Sequence, residues 1–425
     1  MFDVQRDIDQ ILSIKCLTLE RPEICPTFLN SASIKVLTFN IRSIQRNFND
    51  FSLMLSRLNI EFDVLILTEC WLTEFCIIPE IRGYNAYRTK NSINKCSGVI
   101  AYVNNIWSPL VQEPYCDECN YLAISMGDIF ILGVYRSPSF TNTDKFLSSL
   151  NHILGEHKNT KITIVAGDCN LNILEDKPSA SLTDYTCLMA EHQLIPAITE
   201  PTRIKACLDH IYVKSKHSIP IGLVCRSSVT DHDICICGIT AQCKPQRRNN
   251  KQRRKINTAD LIAELTAIDW NIVLESHDTT TAVDSFLKLL NNAIDNHSKL
   301  VTIKRPQNCL KAWITPGLLR CQRTRDKLHL QARKNPNNPI IQYSYKRYRN
   351  FLKELLNRVK ATYYNSKITE FKSNPKKLWA TIKEVCNISR KNNDAHELTK
   401  IQADPVESLN SSNKFFTSIG ETLAT

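Results

Sequence analysis

Apolar residues along the first 240 positions fall into short runs bounded by polar residues, glycine or proline. Runs of this length, rich in β-branched residues, predict β-strands. There are eight: IKVLTFN (34–40), DVLILTE (63–69), SGVIAYV (97–103), NYLAISM (120–126), IFILGVY (129–135), KITIVAGD (161–168), CLDHIYV (207–213) and DICICGIT (233–240). Between them, apolar residues recur at helical spacing, as Phe48, Phe51, Leu55 and Leu58 do. The pattern therefore predicts an α/β fold, a four-layer sandwich of two mixed β-sheets flanked by helices, over residues 34–240.

The pattern changes on both sides of this predicted domain. Residues 1–33 show no clear period and are interpreted as an N-terminal lead-in. Residues 241–258 are rich in lysine and arginine (KPQRRNNKQRRKINT, 244–258), which predicts a solvated basic linker or a nucleic-acid-binding arm. Beyond the linker apolar residues keep helical spacing, most clearly over 318–371, and no further strand is predicted. Residues 259–425 are therefore expected to form a mostly α-helical basic region.

Composition and cysteine spacing indicate the cellular compartment in which the protein is expected. The sequence has no run of 18 apolar residues, so no membrane partner is expected, and its acidic, polar N-terminus is unlike a secretory signal. Its 17 cysteines lack the spacing of a disulfide framework. Several of them lie inside apolar runs, where cysteine behaves as a small hydrophobic residue. These features indicate a reducing, intracellular environment.

Charge is divided unevenly between the two halves of the chain. Residues 1–240 contain 21 Lys and Arg against 26 Asp and Glu, whereas residues 241–425 contain 33 against 16. The front half is therefore mildly acidic, and the back half has a net charge of +17. A basic half of this kind is attracted to polyanions, so DNA is an expected partner and RNA a further one for the C-terminal region. Solvated helix faces are the alternative explanation, and the oligomeric state is left open.

The strongest chemical signal is Gly167-Asp168-Cys169-Asn170, directly after the apolar run KITIVA. Two polar side chains that leave one strand end together are directed to the same edge of a sheet. Hydrolysis of a phosphodiester needs a group that activates water and a donor at the oxygen where charge develops. Asp168 suits the first role and Asn170 the second. Alone, this motif is also a common turn.

Polar residues at five other predicted strand ends support the chemical interpretation over the turn. They are Asn40, Glu69, the pair Tyr135-Arg136, the pair Asp209-His210 and the triplet Thr230-Asp231-His232. A glutamate offers the hard oxygen that Mg²⁺ prefers. Tyrosine and arginine offer a hydroxyl and a guanidinium to phosphate. Six such strand ends in one domain are hard to assign to turns.

The ordered set FN…TE…VYR…GDCN…LDH…TDH resembles the endonuclease/exonuclease/phosphatase (DNase-I-like) superfamily. The segments LTECWL, ILGVYRSP, AGDCNLN, EPTRI, CLDHIYV and VTDHDI are similar to the endonuclease of LINE-type non-LTR retrotransposon polyproteins. KAWITPGLLRCQRTRDKLHLQA, NPKKLWATIKEV and NKFFTSIG resemble the connector that precedes the reverse transcriptase in these polyproteins. The polymerase motif expected next does not occur in the sequence. The resemblance therefore implies an endonuclease plus connector, truncated before the polymerase.

This resemblance implies a Mg²⁺-dependent DNA endonuclease, with Mn²⁺ as a possible substitute, that acts in the nucleus. It would nick target DNA and leave a 3′ hydroxyl for target-primed reverse transcription. The implied metal ligands are Glu69, Asn40 and Asp231. The implied catalytic residues are Asp168, which activates the nucleophile, Asn170 and Tyr135, which contact phosphate, and His232, which Asp209 orients. Arg136 and Thr202 complete the implied phosphate and DNA contacts, and His210 is expected to be structural.

Two alternatives remain open from the sequence: another phosphatase or phosphodiesterase on the same fold, and a catalytically inactive nucleic-acid-binding retroelement remnant. Arg42 stands where repair enzymes of the superfamily have an acidic residue, so it fits the retroelement pattern better and weakens the case for abasic-site repair. Cys116 and Cys119 have the spacing of half a zinc site, but the sequence offers no second pair at a suitable distance.

Overall fold

All eight predicted strands are present in the computed structural model, which describes residues 15–91, 93–215, 218–240, 252–302, 311–386 and 404–424. The strands are β1 Lys15–Leu19, β2 Ile34–Asn40, β3 Val64–Thr68, β4 Tyr84–Arg88, β5 Ile100–Asn104, β6 Leu110–Gln112, β7 Cys119–Met126, β8 Ile129–Arg136, β9 Ile162–Asp168, β10 Ile195–Pro196, β11 Asp209–Ser215, β12 Ile221–Cys225, β13 Ile234–Ile239, β14 Gln252–Ile256 and β15 Ser298–Thr302. Thirteen of these strands form two sheets, and β14 and β15 pair separately.

Each of the two sheets is mixed. The first has the order β1-β12-β13-β2-β3-β5-β4, in which β1 and β12, and β2 and β3, run parallel. The second has the order β10-β11-β9-β8-β7-β6, in which β8 and β9 run parallel. The remaining pairs in both sheets are antiparallel.

Strand β3 shows why the central strands read as continuous apolar runs. Val64 and Ile66 face the other sheet, whereas Leu65 and Leu67 face the opposite side and pack in a second cluster. All four side chains are buried. Successive side chains of a strand point to opposite faces, so a strand that is covered on both faces needs apolar residues at every position.

Helices cover the outer faces of both sheets. Helices α1 Cys25–Leu29 and α2 Ile44–Leu58 contribute to the cluster on the outer face of the first sheet. Helices α3 Asp144–Glu156 and α4 Ala180–Glu191 pack on the outer face of the second sheet. A third apolar cluster, built from both sheets, lies between them. The predicted four-layer α/β sandwich is therefore confirmed.

Seven of the fifteen described strands lie where the apolar pattern predicted none: β1, β4, β6, β10, β12, β14 and β15. Two of them, β1 and β14, change the predicted boundaries of the domain. Strand β1 lies in the expected lead-in and pairs in parallel register with β12, so residues from Lys15 onward belong to the first sheet. Strand β14 begins inside the expected basic linker and pairs with β15, which corrects the expectation that no strand follows residue 240. Both are short and carry charged residues, which hide the period that marks a strand. Residues 1–14 and 241–251 of these segments lie outside the described residues.

The rest of the C-terminal region is helical, as predicted. Its helices are α5 Thr258–Ala267, α6 Asn271–Leu274, α7 Thr279–Asn296, α8 Pro316–Lys334, α9 Pro339–Glu370, α10 Pro375–Val385 and α11 Pro405–Ala424. The long region predicted over 318–371 is two helices, separated before Pro339, because proline suits the first turn of a helix and not its interior. The chain forms two compact units, one that ends at Leu356 and one that begins at Asn357. Among the described helices, none has the length and apolarity to cross a bilayer.

Candidate active site

The register of the second sheet brings three predicted site residues side by side. Tyr135 on β8 is paired with Asp168 on β9, and Asp168 is paired with Asp209 on β11. All three are buried. Residues in register on neighbouring strands and on one face of a sheet are in lateral contact range. The sheet therefore presents a phenol and two carboxyl groups in a row at the ends of its central strands.

Gly167, the residue before Asp168, lies where the second sheet leaves no room for a side chain. Its φ is +152°, and a Cβ built on it would lie 1.8 Å from the carbonyl oxygen of Val134 on the neighbouring strand. A side chain here would force the two strands apart. The glycine therefore permits the close approach of β8 and β9 that places Asp168 beside Tyr135.

Asn40, at the end of β2 in the first sheet, connects the two sheets at the site. Its Nδ2 donates a hydrogen bond of 2.7 Å to Oδ2 of Asp168 and lies 3.5 Å from Nε2 of His232. Its Oδ1 accepts from the backbone N–H of Arg42 at 3.2 Å. The amide is thus held at both ends, and it fixes the position of the Asp168 carboxyl group relative to the His232 ring.

Asp209 and Thr202 orient His232 from the opposite side. Oδ2 of Asp209 lies 2.7 Å from Nδ1 of His232 and accepts a hydrogen bond of 2.8 Å from the Thr202 hydroxyl. That hydroxyl oxygen accepts in turn from the backbone N–H groups of Leu208 and Asp209, both at 3.1 Å. Thr202 is fully buried and its hydroxyl is engaged by Asp209, whereas a contact with phosphate was predicted from the sequence.

The site holds two groups with displaced pKa values. Burial, together with the negative charges of Asp209 and Glu69, raises the pKa of Asp168 to about 7, although His232 and Asn40 oppose the change. Burial alone would lower the pKa of His232. The carboxylates of Asp209, Asp168 and Asp231 outweigh it and raise the pKa of His232 to about 9. The carboxylates around the site therefore carry more negative charge than one protonated His232 can neutralise.

Glu69 and Asp231, two of the three predicted metal ligands, lie at the more exposed edge of the site. The Arg42 guanidinium connects them, with Nη1 2.8 Å from Oδ1 of Asp231 and Nε 3.6 Å from Oε2 of Glu69. Asp231 is also paired with Arg203, at 2.8 Å from Nη2 and 2.9 Å from Nε. Asp231 is thus held by two guanidinium groups, and its carboxylate is committed to them in this structure.

Asn170, Tyr135 and Arg136 take different positions around the cluster. Asn170 adopts a left-handed φ of +49°, which asparagine tolerates better than most residues, and donates its backbone N–H to Oδ1 of Asp168 at 3.1 Å. Its Nδ2 donates to the carbonyl oxygen of Arg136 at 2.8 Å. The Arg136 guanidinium is buried and donates to the carbonyl oxygens of Cys169 and Phe140. Arg136 therefore supports the loop that carries Asn170, and its guanidinium lies away from the carboxylate cluster.

His210 lies in the interior, in agreement with its expected structural role. Nδ1 is 3.0 Å from the Tyr185 hydroxyl, and Nε2 is 3.0 Å from the Leu171 carbonyl oxygen. The ring stacks on Tyr185 with centroids 5.5 Å apart, and burial lowers its pKa. Both ring nitrogens are engaged within the protein.

The residues present suit a divalent cation. Asp168, Asp209 and His232 each offer a ligand atom, and these atoms lie within 4.8 Å of one another. Among the described residues, Oδ1 of Asp209 is a buried oxygen without a hydrogen-bond partner. The carboxylates of Asp168, Asp209 and the nearby Glu69 are hard oxygen donors with an excess of negative charge, which is what a divalent cation of this class requires. Within the described part of the chain, Cys116 and Cys119 do not belong to a group of three or more ligand residues with this spacing.

Two residues near the site were not predicted from the sequence. Arg203 follows Thr202 and pairs with Asp231. Asp233 follows His232, is fully buried, and accepts hydrogen bonds from Arg226 and from the Ser227 backbone N–H. For Asp233 the available signal was a charged residue at the start of the apolar run DICICGIT, since a buried charge is costly and implies a partner. Arg203 is partly exposed and gave no such signal.

No profile of a known protein family matches this chain, and no curated protein matches its sequence. Among solved structures, the endonuclease domain of TRAS1, a telomere-specific non-LTR retrotransposon, resembles it over 49% of this chain and 99% of that domain, with 13% identity and a TM-score of 0.39. An endonuclease/exonuclease/phosphatase family protein from Leptotrichia buccalis covers 48% of this chain and 99% of its own, with 14% identity and a TM-score of 0.38. The inositol polyphosphate 5-phosphatase domain of SPsynaptojanin, in complex with inositol (1,4)-bisphosphate and a calcium ion, covers 48% of this chain and 83% of its own, with 11% identity and a TM-score of 0.33. These similarities by themselves assign neither a family nor an activity to the chain.

Proposed function

We propose that this chain is a divalent-metal-dependent DNA endonuclease of the DNase-I-like type. The observation that carries the proposal is the hydrogen-bonded assembly in which Asn40 holds Asp168 while Asp209 holds His232, at the ends of strands from both sheets. It supplies a carboxyl group and an imidazole that face one another across the Asn40 amide. This pairing of a proton acceptor with a cationic donor suits the hydrolysis of a phosphodiester.

Glu69 and the Asn40 amide oxygen would hold the cation, with Asp209 at the inner side. When bound, Mg²⁺ or Mn²⁺ would stabilise negative charge on the phosphoryl oxygens. Asp209 thus takes the place that the sequence resemblance implied for Asp231. Asp231 would act mainly through its ion pairs with Arg42 and Arg203, which fix those guanidinium groups at the edge of the site.

Asp168 would accept the proton of the attacking water. Its carboxyl group is oriented by Asn40 through Oδ2 and by the Asn170 backbone N–H through Oδ1. A carboxyl group held at both oxygens has few orientations available, so it loses little entropy when a water molecule is aligned.

His232 would donate a hydrogen bond to the phosphoryl oxygen that gains charge. Its Nδ1 is committed to Asp209, which leaves Nε2, on the Asn40 side, to face the substrate. A cationic donor already in place needs no reorganisation when charge develops. Asn170 and Tyr135 would contact the phosphate beside it, and Arg42 and Arg203 would contact the flanking DNA backbone.

DNA is the proposed substrate because the charge and the sequence resemblance agree. The C-terminal region contains 33 Lys and Arg against 16 Asp and Glu, and Lys346, Arg347, Arg349 and Lys353 on α9 are exposed. The basic region would bind DNA, and RNA in a retroelement context. We further propose that the cut leaves a 3′ hydroxyl for target-primed reverse transcription, which places the activity in the nucleus.

Nicking of supercoiled plasmid by the full chain tests the proposal directly. We expect relaxed circles in Mg²⁺ or Mn²⁺, no relaxation in EDTA, and cut ends that a polymerase can extend. Asp168→Asn and His232→Ala should abolish nicking while they preserve DNA binding. Binding without nicking in either metal would instead support an inactive nucleic-acid-binding protein. Release of phosphate from inositol phosphates without nicking would identify a phosphatase.

A further inference from the structure

Helix α8 lies in the region expected to be a separate connector, yet it packs against the sandwich through a buried polar face. Its inward residues recur three or four positions apart, which places them on one side of the helix. They are Gln322, Arg325, Asp326, His329 and Arg333. Gln322 is fully buried and Arg325 is 3% exposed. Arg325 donates to Asp50 of α2 at 2.6 Å, so this face is held to the sandwich by charge as well as by burial.

The same face contacts the loop that carries His232 at two points. Asp326 accepts a hydrogen bond from the Ser228 hydroxyl. Two turns further along α8, Nη1 of Arg333 lies 2.9 Å from both carboxylate oxygens of Asp233. Asp233 is fully buried and directly follows His232. Helix α8 therefore contacts both ends of the segment between Ser228 and Asp233.

Asp233 connects these contacts of α8 to His232, the proposed catalytic residue. Its backbone N–H donates to the Thr202 carbonyl oxygen at 2.8 Å, and the Thr202 hydroxyl bonds to Asp209, which orients His232. The carboxylate also accepts from Arg226 at 2.5 Å and from the Ser227 backbone N–H at 2.9 Å. A buried carboxylate needs this much compensation to remain charged. Among these described donors to the carboxylate, Arg333 alone comes from outside residues 34–240.

We propose that α8 is part of the catalytic unit and that Arg333 is a positioning residue for His232. The inference rests on the proposed function. Arg333 holds Asp233, and Asp233 fixes the backbone on the C-terminal side of His232 and the Thr202 segment beside it. Without the Arg333 guanidinium, the imidazole can drift from its place opposite Asp168. Helix α8 therefore serves the nuclease reaction, and the unit that performs it extends beyond residue 240.

The test compares four variants of the full chain in the plasmid-nicking assay. Arg333→Ala should lower kcat by about 10–100-fold, the usual effect of removing an outer hydrogen bond that orients a catalytic ligand, with KM nearly unchanged. Arg333→Lys should recover much of this activity, because a single nitrogen makes both hydrogen bonds and an ammonium can replace it. Leu318→Ala removes a buried side chain of α8 about 22 Å along the helix from Arg333. Lys334→Ala removes the exposed pair with Glu20.

Leu318→Ala should lower the melting temperature without lowering kcat of the folded protein, and Lys334→Ala should change neither. An equal fall in kcat for Leu318→Ala and Arg333→Ala would overturn the proposal, because α8 would then act through stability alone. Wild-type kcat in Arg333→Ala would overturn it as well.

Hydrogen exchange separates this proposal from the proposed function, because it needs no activity. In Arg333→Ala the amides of Ser227 and Asp233 should exchange faster, since both bonds depend on the Asp233 carboxylate or its backbone position. Faster exchange in a protein that never nicks DNA would support the positioning role of Arg333 and refute the endonuclease. Nicking by the wild type with unchanged exchange in Arg333→Ala would refute the positioning role alone.

Discussion

The imidazole Nδ1 of His232 lies 2.7 Å from Oδ2 of Asp209, and both residues are buried. This contact selects the ring nitrogen that faces the site. It also keeps the ring cationic, since burial lowers the pKa of His232 and Asp209 is the largest of the influences that raise it. We expect Asp209→Asn to lower the nicking rate by about 10²–10⁴-fold, the range typical of a missing acid–base partner. Plasmid relaxation at saturating metal would measure the effect.

The pKa of His232, followed by NMR titration, should fall in Asp209→Asn. Thr202→Val is the matched control, because it removes the hydroxyl that hydrogen-bonds the Asp209 carboxylate and the Leu208 and Asp209 backbone N–H groups but leaves the carboxylate in place. Its effect should be smaller than that of Asp209→Asn. Equal activity in Asp209→Asn and the wild type would contradict this role of the pair.

The metal-free protein should lose stability as the pH rises. The pKa of Asp168 is about 7 in the folded protein against an ordinary 3.8, so its contribution is fully present below about pH 4 and is lost as the pH rises through 7. The pKa of His232 is about 9 against an ordinary 6.5, so its contribution is fully present below 6.5 and is lost as the pH rises through 9. Thermal unfolding in EDTA between pH 5 and 9 would show both effects.

Asp168→Asn isolates one of these two groups. The variant has no carboxyl group to ionise, so it should gain stability relative to the wild type as the pH rises from 5 to 8, by roughly 2–3 kcal/mol. Divalent metal should narrow this difference, because it stabilises the ionised wild-type site. A constant difference between the two proteins over this range would show that Asp168 is ionised throughout.

Gly167→Ala should be severely destabilising. The new Cβ would meet the Val134 carbonyl oxygen at 1.8 Å in the middle of the second sheet, a clash that requires the strands to separate. We expect a decrease of more than about 3 kcal/mol in the free energy of unfolding, measured by denaturant titration.

Two other glycines provide controls for Gly167→Ala. Gly127 has a φ of +60° but no atom within 4 Å of the added Cβ, so Gly127→Ala should cost only about 1–2 kcal/mol. Gly155 lies in α3 with open space around it, and Gly155→Ala should stabilise by roughly 0.5 kcal/mol. The reverse order of the three changes in stability would contradict the steric account.

The eight strands predicted from the sequence are largely buried on both faces, whereas the edge strands β1, β4, β6 and β10 were missed. The buried strand β12 is the exception, because its run IGLVC is short and was not recognised. Strand β3, buried at all five positions, is a continuous apolar run, whereas β4 is half exposed and reads YNAYR. An edge strand with one exposed face carries polar residues that resemble those of a loop. The apolar pattern of a strand therefore indicates how far the strand is buried, and it says less about the hydrogen bonds that the strand makes.

The sequence also identified the polar groups at strand ends, but it did not determine which of them touch. Asn40, Asp168, Asp209 and His232 come together because strand ends from two sheets meet. Asp231, grouped with the metal ligands from the sequence, is paired with Arg42 and Arg203 in the structure. Side-chain partners of this kind depend on the exact path of the loops. Loops have no periodic sequence pattern from which that path could be predicted.

The contact of Arg333 with Asp233 was still harder to predict from the sequence. Arg333 is separated from Asp233 by 100 residues, with the basic stretch and helices α5 to α7 between them. In the sequence it is one of many basic residues on an amphipathic helix, and only the docking of α8 distinguishes it from its exposed neighbours.

Arg42 should weaken cation binding at the site. Its guanidinium lies between Glu69 and Asp231 and compensates part of their charge. In Arg42→Gln that charge is released, so we expect Mn²⁺ to bind about 3–10-fold more tightly, on the order of 1 kcal/mol for a partly exposed pair. The rise in melting temperature with Mn²⁺ concentration, without DNA, would measure this.

Glu69→Gln is the opposite control for Arg42→Gln, since it removes a carboxylate from the same pair and should weaken Mn²⁺ binding. Weaker binding in both variants would show that Arg42 organises the site more than it competes with the cation.

The exposed basic face of α9 should contribute to DNA affinity through phosphate interactions alone. Lys346, Arg347 and Lys353 are exposed on this helix within the first compact unit. Replacing all three by glutamine should weaken binding about equally for unrelated DNA sequences, because groups that bind phosphate do not read bases. The slope of log K against log salt should also become shallower by about 0.9 for each phosphate that the variant no longer neutralises, or up to about 3 in total.

Fluorescence anisotropy with two unrelated duplexes at several salt concentrations would measure both effects of the triple change in α9. The change should leave kcat at saturating DNA unaltered, since these side chains lie outside the carboxylate cluster. An unchanged salt slope would show that the positive charge of α9 serves solubility, and DNA affinity would then reside in the sandwich and its arginine-lined edge.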